Sequence, residues 1–278
     1  MTEQTVLWAS PAWLEEATDW IDERLAICGS RRTGPVEQPH LRPWATALRA
    51  PTTGGTVWLK AAAPRTSFEI SLYEVLAREV PDHVLVPLAV DAGRDWVLLP
   101  DGGSRLGDRV GSEDLAAALC EVLPQYAELQ RALAPSADAI LALGAPDMRP
   151  QVMPQRFADA PGQVSLDHND LHAWNVLGAG TFRFYDWGDS VVAHAFASLL
   201  LPLTDVRNRA DDDAALRLRG AYLAACSDLA PHAELVETLE LAVRVGWIAR
   251  SHTWLRAVGD ATDERWATAP LESLAAIL

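Results

Sequence analysis

The segment DHNDLHAWNVLGAGTFRFYDWGD, residues 167–189, constrains the fold more than any other part of the chain. Two short apolar stretches flank the turn residues GAG, a pattern that predicts a β-hairpin. Asp170 and Asn175 precede the first strand and Asp186 follows the second, so we expect the hairpin to bring these side chains together at its open end. Carboxylate and amide oxygens are the ligands that Mg²⁺ prefers, usually together with substrate phosphates. A carboxylate beside such a site can accept a proton from an incoming hydroxyl.

The alternation of His168, Asp170 and His172 allows a second interpretation of the same segment. Alternating positions lie on one face of a strand, and such ligands bind zinc or iron. No distant histidine or carboxylate motif completes this set, so we favour the magnesium interpretation.

Around this segment, the chain divides into a strand-rich first part and a helical second part. The first part is predicted to contain an opening helix in SPAWLEEATDWIDERLAICG, a hairpin around PTTGG, a helix in SFEISLYEVLARE, and strands in VLVPLAVD and RDWVLLPD. The glycine-rich DGGSRLGD that follows is typical of a hinge. Beyond it, we expect helices near residues 193–201, 211–227, 232–258 and 271–278. The pattern predicts a sheet-containing lobe followed by a helical lobe.

HNDLHAWN resembles the catalytic loop of the kinase-like superfamily, and DWG resembles its magnesium-binding D-F-G. The variant D-L-H-x-x-N resembles the aminoglycoside phosphotransferase branch, which includes antibiotic and small-molecule kinases. The resemblance implies that Asp170 is the catalytic base, that Asn175 and Asp186 hold Mg²⁺, and that His168 braces the loop.

The resemblance also implies a fold and a nucleotide. We expect an α+β, bilobal protein-kinase-like fold with a small antiparallel-sheet N-lobe and a mostly helical C-lobe. Residues 1–101 would form the nucleotide-binding lobe. Residues 102–278 would carry the catalytic loop and the acceptor site. ATP with Mg²⁺ is the expected phosphoryl donor.

Lys60, at the end of the predicted strand VWLK, is the only lysine in a chain with 23 lysines and arginines. In the superfamily, a strand lysine reaches the α- and β-phosphates and pairs with a glutamate of the next helix. A compact ammonium fits between phosphate oxygens and one carboxylate, whereas the planar fork of arginine does not. We therefore assign Lys60 to the nucleotide, with Glu69 as its partner and Glu74 as the alternative. Chance survival of one exposed lysine is the competing explanation.

The segment LLPDGG resembles the strand that joins the lobes of kinases. By position, the backbone of Leu99, Pro100 and Asp101 would hydrogen-bond an adenine. One departure from the pattern is that EQPHLRPWATA stands where a glycine-rich phosphate loop, G-x-G-x-x-G, is expected.

The acceptor site is less clearly marked. ELAVRVGWIARSHTWLRAVGD predicts a helix with Trp247, Arg250 and Trp254 on one face. Such a face can stack on or orient a ligand, and packing of the tryptophans in the core is the alternative. Asp189, just after DWG, is expected either to bind a cationic acceptor or to brace the loop.

Composition limits the partners. The net charge of −15 argues against nucleic acid and is compatible with a cationic small molecule. No apolar run of about 18 residues suggests a membrane span. The three dispersed cysteines and a start without a secretory pattern favour the cytoplasm. We expect a monomer or a homodimer.

These observations favour a kinase that phosphorylates a hydroxyl of an antibiotic, either an aminoglycoside or a capreomycin/viomycin-type peptide, and so confers resistance. One alternative is a metabolic kinase for an amino sugar such as glucosamine or for a choline-like alcohol. The other is a nucleotide-binding pseudokinase, which the complete set of catalytic side chains disfavours.

Overall fold

The chain separates into two compact units in a computed structural model that describes residues 3–111, 114–149, 164–258 and 266–277. Within the described parts, the first unit takes in Met1–Pro81, Leu85–Gly102 and Trp254–Thr268. The second takes in Asp82–Val84, Gly103–Thr253 and Ala269–Leu278. The domain boundary expected between residues 101 and 102 stays a prediction.

A five-stranded antiparallel sheet with the order β1-β2-β3-β5-β4 forms the centre of the first unit. The strands are β1 (Glu37–Leu41), β2 (Ala45–Thr52), β3 (Gly55–Ala62), β4 (Ala89–Asp91) and β5 (Trp96–Pro100). The helices are α1 (Glu3–Trp8), α2 (Pro11–Ile27) and α3 (Phe68–Glu79). The backbone N–H of Trp13 donates to the Ser10 side chain at 3.3 Å, which caps α2.

Tryptophans dominate the core of the first unit. Trp13 and Trp20 of α2 both pack edge-on against Trp96 of β5, with ring centroids 5.6 Å apart in each pair. Leu48 and Leu59, from β2 and β3, are fully buried in the same cluster. This packing holds β3 and β5, the two strands that carry Lys60 and Leu99, against α2.

The second unit consists mainly of helices. They are α4 (Leu106–Arg109), α5 (Leu115–Leu133), α6 (Ala137–Ala142), α7 (Leu200–Arg209), α8 (Asp212–Ala224), α9 (His232–Val258, whose last turn is assigned to the first unit) and α10 (Ala269–Ala275). The strands are β6 (Asp147–Met148), β7 (Val164–Asp167), β8 (Val176–Leu177), β9 (Arg183–Phe184) and β10 (Val191–His194). A three-stranded sheet has the order β6-β10-β7, and β8 and β9 form a hairpin. Among the described residues, no helix has the length and apolarity that a membrane span requires.

The α+β fold class is confirmed, as are both hairpins and helix α3. The prediction of a helix over 193–201 was wrong at its start. Val191–His194 forms β10, paired with β6 and β7, and a short 3₁₀ helix over Ala195–Leu199 separates it from α7. Strand pairing here comes from residues distant in sequence, which local periodicity does not register. The last predicted helix ends at Ala275, and residue 278 lies outside the described residues.

Candidate active site

An ion pair between Lys60 and Glu69 links the sheet of the first unit to α3. Lys60 lies on β3 between neighbouring residues of β2 and β5, and its Nζ is 2.7 Å from Glu69 Oε1. The Glu69 side chain is 1% exposed and that of Lys60 is 16% exposed. Of the two glutamates considered, Glu69 forms the pair, and Glu74 is exposed. A buried ion pair adds little to stability, so its presence favours a role for the ammonium group.

The carboxylate of Asp170 is held on both oxygens within the second unit. Arg250 Nη2 lies 2.8 Å from Oδ1. Asn175 Nδ2 donates to Oδ2 at 3.1 Å and to the Asp170 carbonyl at 2.9 Å. His172 Nε2 lies 3.3 Å from Oδ2. Contacts from three side chains therefore fix the plane of this carboxylate.

These contacts also set its charge. Burial would raise the pKa of Asp170, but the charge of Arg250, and then the hydrogen bond and charge of His172, lower the pKa to about 2. Burial would lower the pKa of His172, and its hydrogen bond to Asp170 instead raises that pKa. Asp170 is therefore ionised at neutral pH.

The loop that carries Asp170 has an unusual backbone. Asn169 adopts φ 56°, a left-handed conformation that residues other than glycine seldom adopt. Its backbone N–H donates to Asp167 Oδ1 at 2.8 Å, and its side-chain amide donates to Thr253 Oγ1 at 2.6 Å. His168 Nε2 donates to the Tyr185 carbonyl at 2.8 Å. The histidine thus braces the loop against the hairpin that follows.

The β8–β9 hairpin places Asn175 and Asp186 at its open end. Val176 pairs with Phe184, and the Tyr185 N–H donates to the Asn175 carbonyl at 3.3 Å. Asp186 adopts φ 65° and ψ 59°. Left-handed backbone in a residue other than glycine is costly and concentrates at functional sites.

The donor set at this end of the hairpin fits Mg²⁺. The Nδ2 of Asn175 donates to Asp170, so the amide oxygen is the atom that could bind a metal, and Asp186 would add a carboxylate. Mg²⁺ is commonly held by one or two carboxylates plus substrate phosphates. Among the described residues, no group of three or more His, Cys, Asp or Glu side chains is arranged to hold a metal.

Two residues expected at the acceptor contact each other. Arg250 Nη1 lies 3.2 Å from Asp189 Oδ2, and Arg250 also contacts the loop that carries Asp170. Trp247 is half-buried on α9. Trp254 belongs to the first unit and stacks on Trp266, with ring centroids 5.3 Å apart and planes at 17°. That either tryptophan contacts an acceptor stays a prediction.

The predicted adenine contacts are restricted by the strand itself. Leu99 pairs with Trp58 of β3, Pro100 has no backbone N–H, and the Asp101 N–H donates to the Thr56 carbonyl at 3.1 Å. The amide of Asp101 is therefore already used as a donor. An adenine contact in this segment stays a prediction.

In place of the glycine-rich phosphate loop of the superfamily, a tight turn over residues 42–44 joins β1 to β2. The Arg42 N–H donates to the Ala45 carbonyl at 2.9 Å and closes it. The contacts by which His172 and Thr253 hold the loop were not predicted from the sequence. His172 stands inside the quoted motif, so its position was visible. Thr253 lies 84 residues from its partner Asn169, and no local pattern marks it.

Together, the sheet-containing unit with its Lys60–Glu69 pair and the helical unit with its Asp170–Asn175 loop have the fold of kinase-like phosphotransferases. The chain is similar to the macrolide 2'-phosphotransferase MphH of Brachybacterium faecium, with a TM-score of 0.61, 16% identity, and coverage of 90% of this chain and 97% of that one. It is similar to APH(2")-IIia, solved with GDP and kanamycin, with a TM-score of 0.57, 16% identity, and coverage of 87% and 92%.

The choline kinase LicA of Streptococcus pneumoniae is also similar, with a TM-score of 0.57, 14% identity, and coverage of 94% of this chain and 99% of that one. No protein-family model and no curated protein sequence matches the chain. At these identities, the likeness establishes the fold. The resemblance read from HNDLHAWN and DWG is thereby confirmed for the architecture.

Proposed function

We propose that the protein is an ATP-dependent phosphotransferase that phosphorylates a hydroxyl of a cationic small molecule. The observation that carries the proposal is the Asp170 carboxylate, whose two oxygens are contacted by Arg250 and by Asn175 at the open end of the β8–β9 hairpin. Phosphoryl transfer uses such parts: a carboxylate that orients the nucleophile, together with an amide oxygen and a second carboxylate that can hold a metal ion.

Each residue has a distinct role in the proposed reaction. Asp170 accepts the proton of the acceptor hydroxyl, whose oxygen forms a bond to the γ-phosphorus of ATP while the bond to the ADP oxygen breaks. Lys60, fixed by Glu69, binds the α- and β-phosphates. Asn175 and Asp186 are the ligands that would hold Mg²⁺, which when bound neutralises charge on the phosphates.

For the acceptor, we propose an antibiotic, and for the protein a role in resistance. The net charge of −15 favours a cationic molecule. Two of the similar structures are a macrolide 2'-phosphotransferase and a kinase solved with kanamycin. Aminoglycosides and capreomycin/viomycin-type peptides remain the acceptors that the composition favours, and macrolides join them.

A metabolic kinase is the second candidate. The likeness to choline kinase LicA has the same TM-score, 0.57, as the likeness to the kinase solved with kanamycin. A choline-like alcohol or an amino sugar such as glucosamine is therefore a reasonable competing acceptor.

The test is release of ADP from Mg²⁺-ATP across a panel of acceptors. The panel contains aminoglycosides, a macrolide, capreomycin, viomycin, glucosamine and choline. Turnover confined to one antibiotic supports the resistance role and identifies the drug. Turnover confined to choline or glucosamine supports the metabolic kinase. ATP binding without turnover on any acceptor contradicts the proposed activity and favours the pseudokinase.

A further inference from the structure

The guanidinium of Arg250 bridges two carboxylates and the catalytic loop. Its Nη2 lies 2.8 Å from Asp170 Oδ1, and its Nη1 lies 3.2 Å from Asp189 Oδ2. The same Nη1 donates to the Asn169 carbonyl at 2.8 Å. The Arg250 side chain is only 12% exposed. A planar, rigid fork of donors can make these contacts at once, whereas a lysine ammonium cannot reproduce the fork.

Helix α9 gives Arg250 a fixed origin. Ala249, the preceding residue, is buried against Val191 and Ala193 of β10. Three residues after Arg250, Thr253 accepts the hydrogen bond from the Asn169 side chain at 2.6 Å. Arg250 and Thr253 are neighbours on one helix face. That face therefore contacts Asn169 at both its carbonyl and its side chain, next to Asp170 in the chain.

The contacts on Asp170 are unequal. Oδ2 lies within reach of donors from Asn175 and His172, whereas Oδ1 is contacted by Arg250. A carboxylate oxygen accepts about two hydrogen bonds. Among the residues that the structure describes, Arg250 is the donor to Oδ1, which leaves capacity there for one further donor such as a hydroxyl.

We propose that Arg250, anchored by Asp189, is a positioning residue that fixes the plane of the Asp170 carboxylate and directs its Oδ1 to the acceptor hydroxyl. This role rests on the proposed phosphotransferase function. It differs from the sequence-based expectation that Arg250 orients the acceptor, and for Asp189 it takes up the second of the two expected roles, bracing of the loop. In the new role, the pair acts on the acceptor only through Asp170, so these residues affect the rate of transfer and not the binding of the acceptor.

The kinetic test compares Arg250→Gln, Arg250→Lys and a matched control, Arg244→Gln. Arg244 lies on the same helix, is exposed, and donates to the Ile277 carbonyl. Arg250→Gln is expected to lower kcat by about 10- to 100-fold, the usual effect of removing a supporting contact. KM for the acceptor and for ATP should stay within about twofold. Arg250→Lys keeps the charge and should recover part of kcat, and Arg244→Gln should leave it unchanged.

A second measurement does not depend on turnover. The denaturant midpoints of Arg250→Gln, Asp170→Asn and the double variant are compared by chemical unfolding. Groups in direct contact give non-additive changes, so the double variant should lose less than the sum of the single losses. The same cycle with Arg244→Gln should be additive. Additive losses for Arg250 and Asp170 would overturn the proposal.

The outcomes separate the two proposals. A wild-type protein that phosphorylates no acceptor contradicts the proposed function, and the positioning role with it. An active wild-type protein with unchanged kcat in Arg250→Gln contradicts the positioning role alone. A rise in the acceptor KM at unchanged kcat would assign Arg250 to acceptor binding instead. If Arg250→Gln does not fold, Arg250→Lys is measured in its place. A lower kcat at unchanged acceptor KM then supports the positioning role, and a higher acceptor KM at unchanged kcat contradicts it.

Discussion

Lys60 is the only lysine among the 23 lysines and arginines of the chain. The contact that explains this is local and buried: Nζ lies 2.7 Å from Glu69 Oε1. A guanidinium is wider than an ammonium. It does not fit the space between one carboxylate and a set of phosphate oxygens. The identity of this side chain is thus tied to its proposed role with the nucleotide.

Lys60→Arg is therefore expected to lower kcat/KM for ATP by about 10-fold, the equivalent of one lost hydrogen bond to a charged group. Steady-state kinetics with varied ATP would measure the change. The matched control is Arg49→Lys on neighbouring β2, whose side chain is 47% exposed. Equal kinetics for wild type and Lys60→Arg would contradict this role and leave chance as the explanation for the single lysine.

The sequence indicated which residues of the loop are candidates for the site, but not the long-range contacts that these residues make. Asp170, Asn175 and Asp186 were predicted to converge because a short hairpin joins them. The pairing of Arg250 with Asp189 spans 61 residues, and helix periodicity indicated only that Arg250 shares a face with tryptophans. A local pattern gives the direction of a side chain but not the partner that tertiary packing supplies.

Among the elements, α4 and the loop before β8 approach each other closely. A Cβ added to Gly107 would lie 2.7 Å from the indole of Trp174. Trp174 directly precedes Asn175, and its ring also lies under the guanidinium of Arg209, 5.3 Å from the centroid. The absence of a side chain at Gly107 therefore allows this packing.

Gly107→Ala should consequently lower the free energy of unfolding by about 1–3 kcal/mol, as overpacking usually does, and should reduce turnover by displacing Asn175. Chemical denaturation and the ADP assay measure the two effects. Gly220→Ala on α8 is the control, because no atom lies within 4 Å of its added Cβ. In a helix, this change should be neutral or stabilising by about 0.5–1 kcal/mol. Equal stabilities for the two variants would contradict the role of the Gly107–Trp174 contact.

The elements that the sequence predicted well are those with local signals. The hairpin between β2 and β3 has its Gly-containing turn, and α2 has its cap at Ser10. Strand β10 was missed because its identity depends on pairing with β6 and β7. Its misassignment matters for the site, since β10 is the surface on which Ala249 of α9 packs.

For the molecule as a whole, a buried acid beside the loop that carries Asp170 affects stability. Asp167 is 1% exposed, and its Oδ1 accepts from Ser198 Oγ at 2.5 Å. Burial raises the pKa of Asp167 to about 6, although the hydrogen bond from Ser198 opposes the shift. In an unfolded chain the pKa is about 3.9. The folded state therefore holds this proton more tightly, and this group makes the protein less stable as the pH rises from about 4 to 6.

Asp167→Asn keeps an oxygen that accepts from Ser198 and removes the titration. The loss of stability between pH 4 and 6 should be smaller in the variant by about 1–3 kcal/mol, at about 1.4 kcal/mol per pKa unit. Urea unfolding at pH 4, 5, 6 and 7 measures the slope. The control is Asp228→Asn, an aspartate that is 60% exposed beside Arg131. A slope identical to that of wild type in Asp167→Asn would show that Asp167 is ionised in the folded state across this range.

The central claim is that the Asp170 carboxylate acts in transfer of a phosphoryl group to a hydroxyl. The most direct test is transfer of labelled γ-phosphate from ATP to the acceptor identified by the panel, measured for wild type and Asp170→Ala, with nucleotide binding and thermal unfolding followed in parallel. Asp170→Ala should lose about 10²- to 10⁴-fold in the rate of transfer while it still folds and binds ATP. A folded Asp170→Ala protein that transfers phosphate at the wild-type rate would contradict the claim.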